Sequence, residues 1–148
     1  RGVKLRIDPS SELNYRIKLS LKYLEKAEKF FSTGDYKESV EASQLSVENA
    51  AKAVISLRRL PSWSHDPSEE LLEVAKELPE SERALAEELA SIAHALAPEH
   101  GTSTYGKPEE GLTPWEIYDE GKARDVLEKA RRARDLMDLI IKSVKNKI

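Results

Sequence analysis

The chain has 148 residues, 34% of them charged, a formal net charge of -3 and no cysteine. That length suits one domain with a core of its own, and the lack of thiols excludes a disulfide framework, a thiol nucleophile and a cysteine-ligated metal. The slight acidity gives no global pull toward nucleic acid, so RNA binding would have to be local. No apolar run approaches the ~20 residues of a membrane helix, and a cytoplasmic protein is expected. Many charges beside a single Gln and three Asn resemble a heat-adapted composition.

Gly2 to Ile7 alternates Val3, Leu5 and Ile7, and residues 1–8 read as an arm. Asp8 and Pro9 then give an N-cap followed by proline at the first helical position. The helix they start sets Leu13, Ile17, Leu21, Leu24 and Phe31 on one face, with Leu19, Tyr23 and Phe30 on its flank. Gly34 ends it, and the short break to Asp35 predicts an antiparallel hairpin with the next helix.

That second helix, from about Asp35 to Arg59, is the centre of the chain. Val40, Val47, Val54 and Leu57, with small Ser43 and Ala50 between them, form the stripe of a helix packed against other helices. Asp35 with Glu38 predicts a capping box. Gln44, Glu48 and Lys52 stand four apart and make one polar row beside the core stripe. Such a row either supports an exposed helix or lines a cleft or a symmetric interface. Its place next to the stripe favours the interface.

Pro61 stops the second helix, and Asp66-Pro67 with Glu69 restarts a shorter one through Leu71, Leu72 and Leu78. Ser81 to Ala97 is a fourth, with Leu85, Leu89, Ile92, Ala93 and Leu96 toward the core. Residues 98–118, rich in Gly and Pro, read as a long loop, within which Thr113-Pro114 and Glu116 start a turn presenting Trp115 and Tyr118. The last helix, from about Asp119 to Lys145, repeats Ala123, Val126, Ala130, Ala133, Met137, Ile140 and Val144. Its bases, Lys122 to Arg134, alternate with acids and predict a salt-bridged face. Every proline lies at or outside a predicted helix end. The expectation is one all-α domain over residues 1–148, a four- to five-helix up-and-down bundle.

The groups able to carry chemistry are few. His65, His94 and His100 include no His-x-x-x-His pair, although His94 and His100 flank Pro98 and have a route to each other. No phosphate loop follows a strand and no serine-nucleophile signature is present, so neither a metal nor a cofactor is expected. His65 and His100 remain as candidate acid or base groups, with Arg59 as a candidate partner. Tyr105, among small residues, is expected to anchor its loop or meet a ligand.

The segment Gln44 to Ile55 resembles the second helix of HEPN-domain proteins, matching at Gln44, Glu48, Lys52 and Ala53. Leu24, Ala27 and the Gly34-Asp35-Tyr36 turn fit the preceding helix. Ser64-His65-Asp66 with Leu71 and Leu72 is similar to the family's Thr-His-Asp-Leu turn, and Tyr105-Gly106, Pro114, Tyr118 and Ala123 follow in the family's order. The resemblance implies a helical bundle that commonly dimerises, and in prokaryotes often works beside a minimal nucleotidyltransferase in a toxin–antitoxin-like pair, with nucleotide or RNA as ligand. It also implies, for many members, a metal-independent ribonuclease using Arg, four to six residues, then His. Thr104 stands where the family's loop carries Arg, whereas Arg59 to His65 has the spacing at another place in the chain. Two functions stay open: a dimeric binding component, and a ribonuclease acting through His65 or His100.

Overall fold

The computed structural model describes residues 9–146. Helices α1 (Pro9–Ser32), α2 (Tyr36–Ile55), α3 (Ser68–Ala75), α4 (Glu80–Leu96), α5 (Glu99–Tyr105), α6 (Pro114–Ile117) and α7 (Glu120–Asn146) follow one another, with a 3-10 turn at Pro108–Glu110. The fold is all-α. Among the described residues the only β pairing is an isolated antiparallel bridge from Lys107 to Leu112, and no helix is long and apolar enough to cross a membrane. The predicted arm and its Asp8 cap lie outside the described residues.

Helix α2 touches α1, α3, α4, α5, α6 and α7. Its small side chains are the reason. Ser20 of α1 and Ser46 of α2 each donate to the other's backbone carbonyl, at 2.9 and 2.8 Å, an approach that a longer side chain would hold apart. Ala50, Ala51 and Ala53 are fully buried beside Val40, Val54 and Ile55. In α7, which also packs on α2, Ala123, Ala130 and Ala133 are likewise fully buried, together with Leu136 and Ile140.

The structure departs from the sequence reading at three places. Leu21 points away from the core at 45% exposed, and fully buried Ser20 takes its place because the α1–α2 contact has room only for a small group. Asp35 stands at the N-cap of α2 as expected, but the capping box does not close: its carboxylate accepts from Thr33 Oγ1 at 2.7 Å, while Glu38 accepts from Trp115 Nε1 at 3.0 Å. Residues 98–118 are not an open loop. They hold α5, the 3-10 turn and α6, and the last of these has the capping box between Thr113 and Glu116. The polar row is covered within the protomer, where Gln44, Glu48 and Lys52 are 2%, 6% and 3% exposed. The predicted salt-bridged face of α7 does form, with Arg131 on Glu28, Arg132 on Glu88 and Lys129 on Asp125.

Candidate functional site

A carboxylate this deeply buried is costly unless donors meet its oxygens. Glu48 has three. Lys52 Nζ donates to Oε2 at 3.0 Å, Gln44 Nε2 donates to Oε1 at 3.1 Å, and His65 Nδ1 stands 3.1 Å from the same Oε1. Burial pushes the Glu48 carboxyl up, but the hydrogen bonds from Gln44, Lys52 and His65 outweigh it and hold the group below its ordinary value.

The protonation pattern of the whole cluster follows from that ionised carboxylate. A carboxylate only accepts, so His65 must carry its proton on Nδ1. Gln44 directs its amide N–H at Glu48, which turns its carbonyl oxygen toward His100 Nδ1 at 3.1 Å. A carbonyl also only accepts, so His100 is protonated on Nδ1 as well. Each neutral ring is thereby left with an unprotonated Nε2. The two imidazoles stack, with centroids 3.7 Å apart and planes 20° from parallel. Three elements supply the parts: α2 gives the row, the connection 56–67 gives His65, and α5 gives His100.

His65 opens onto a cleft of about 600 Å³ whose floor is Glu48, Asn49 and Lys52. One bank is α1, with Glu12, Tyr15, Arg16, Leu19 and Tyr23 at helical spacing; the other is Leu60, Pro61 and Trp63. Arg16 donates from Nε to Glu12 at 2.6 Å and from Nη1 to Asn49 Oδ1 at 2.9 Å, which leaves it further N–H donors for an anion. Trp63 is 93% exposed. Glu48, His65 and His100 also each offer one metal-ligand atom, all within 4.8 Å of one another.

The remaining candidates stand elsewhere. Arg59 pairs with Glu77 at 3.3 Å on the surface and does not join the histidines. Tyr105 neither anchors a loop nor joins the cluster: it ends α5 at 74% exposed. His94 does not approach His100; its Nδ1 lies 2.9 Å from Asp66 Oδ2, while Asp66 Oδ1 accepts the Ser68 backbone N–H at 3.0 Å. Arg16 and Asn49 escaped sequence reasoning. The signal available for Arg16 was its place on the flank of α1 that also carries Tyr23.

An all-α bundle organised on a central helix with a Gln–Glu–Lys row is the architecture expected of a HEPN domain. The HEPN domain family model matches residues 13–140, and the chain belongs to that family. No curated protein matches the chain. Among solved structures it is similar to TT1696 from Thermus thermophilus, at 20% identity over 86% of this chain and 97% of that one, with a TM-score of 0.65. At that identity the likeness concerns the fold alone.

Proposed function

We propose that this HEPN domain cleaves RNA by acid–base chemistry, with His65 and His100 as the proton-transferring pair. The observation that carries this reading is the stack of two imidazoles whose Nδ1 protons are both held by the buried row, so that both Nε2 atoms are available. In RNA, one Nε2 takes the proton of a 2′-hydroxyl as its oxygen attacks phosphorus. The other, protonated beforehand, gives its proton to the departing 5′-oxygen, and a 2′,3′-cyclic phosphate remains. Arg16 supplies positive charge to the phosphorane-like transition state from the α1 bank. Glu48 and Gln44 act as positioning residues, because they set which nitrogen of each ring is bare.

The test is incubation of the chain with labelled single-stranded RNA in the presence of chelator. Wild type and His94→Ala are expected to cleave, and His65→Ala and His100→Ala are expected to lose about a hundredfold or more. Cleavage retained by both of the latter variants would contradict the assignment.

A second reading, the dimeric binding component acting with a minimal nucleotidyltransferase, is favoured by a different observation. Trp63, Leu60 and Tyr15 stand 93%, 45% and 53% exposed around one cleft, an apolar rim of the kind protein partners cover. On this reading Trp63→Ser turns a dimer in light scattering into a monomer. A wild-type monomer would leave a hetero-partner alone to account for the rim.

A further inference from the structure

The cluster has ligand chemistry that acid–base catalysis does not use. We propose that Glu48, His65 and His100 form a binding site for one transition-metal ion of the Zn²⁺ class. Two imidazoles and one carboxylate are a donor set that suits Zn²⁺, Co²⁺ and Ni²⁺. The three residues come from α2, the 56–67 connection and α5, so the fold and not a local motif assembles them.

The three ligand atoms lie near enough that a modest inward turn of the rings brings them around one ion. A tetrahedral ion with bonds near ~2.05 Å holds its ligand atoms roughly 3.3 Å apart. His65 Nδ1 stands 3.1 Å from Glu48 Oε1, and the ligand atoms of Glu48, His65 and His100 all lie within 4.8 Å of one another. Lys52 engages Oε2 alone, leaving Oε1 on the histidine side. Metal-bound carboxylates ordinarily have such a hydrogen-bonding partner on their outer side.

Two features set what binding demands. The stacked rings must spread to point at one ion, and His65, with a side chain 57% exposed, has space to turn. The Lys52 ammonium opposes a second positive charge and so weakens binding relative to the same ligands without it. Entry runs through the cleft that reaches both Glu48 and His65. Coordination at Nδ1 moves each ring proton to Nε2 and removes the lone pair that acid–base cleavage needs. This inhibitory consequence rests on the RNA reading; the binding itself does not.

The experiment uses the full chain stripped with chelator and then titrated with ZnCl₂ by calorimetry and with CoCl₂ by visible absorption. Wild type is expected to take one ion per chain and to give the intense visible bands of tetrahedral Co²⁺. His65→Ala and His100→Ala are each expected to weaken binding about tenfold or more and to lose those bands. His94→Ala, outside the cluster, is expected to bind as wild type. His65 lies on the surface, so His65→Ala decides the matter even if His100→Ala is poorly folded. Absence of wild-type binding would overturn the site, as would His65→Ala binding unchanged or a loss shared equally by His94→Ala. RNA cleavage with chelator present is read separately, so either idea can fail while the other stands.

Discussion

Replacing Glu48 by Leu removes one member of an ion pair whose side chains are 7% and 3% exposed. Lys52 is then left as a buried ammonium without its carboxylate, and Gln44 and His65 lose an acceptor. Breaking a buried pair in this way costs about 3–5 kcal/mol. For a domain of this size that corresponds to a fall in Tm of roughly 6–20 °C. The double variant Glu48→Leu/Lys52→Met takes away both charges and fills their space with apolar atoms, so it is expected to recover more than half of that loss. Urea titration followed by circular dichroism measures both variants on one scale. A single variant losing less than about 1 kcal/mol would refute the reasoning. So would a double variant no more stable than the single one.

Three further outcomes are expected of the fold. Gly106 sits at φ +72° with its missing Cβ only 2.3 Å from the Leu112 carbonyl oxygen, so Gly106→Ala should cost about 1–3 kcal/mol in thermal melts. Ser46→Leu forces α1 and α2 apart at the Ser20 contact and should cost roughly 1–3 kcal/mol in the same assay, with loss of the bond the Ser46 hydroxyl donates to the Ser20 carbonyl besides. Arg131→Gln, by contrast, breaks a pair with Glu28 whose side chains are 44% and 42% exposed; it should cost under about 1 kcal/mol, shrinking as salt is raised.

The central helix was legible because burial of one face leaves a direct mark on the sequence: apolar and small residues recur at helical steps from Val40 to Val54. Leu21 misled for the same reason, since hydrophobicity alone does not say where two backbones come close enough to require a serine. The helices within residues 98–118 were hidden by their glycines and prolines. Segments of seven and four residues do not form from intrinsic propensity, and α5 and α6 are held by contact with α2. The polar row could be read because it lies on one helix at four-residue steps. Its two covering histidines are far from it along the chain, and only tertiary packing brings His65 and His100 over Glu48 and Gln44. Spacing drew attention to Arg59, whose guanidinium meets Glu77, whereas Arg16 reaches the cleft from α1.

The acid–base reading of the site depends on which nitrogen of each imidazole holds the proton. Long-range proton–nitrogen NMR of the ¹⁵N-labelled chain at a pH where the rings are neutral reads this directly. His65 and His100 are expected to show a protonated Nδ1 and a bare Nε2, the reverse of the form that free imidazole side chains favour. Protonated Nε2 on both rings would contradict the account.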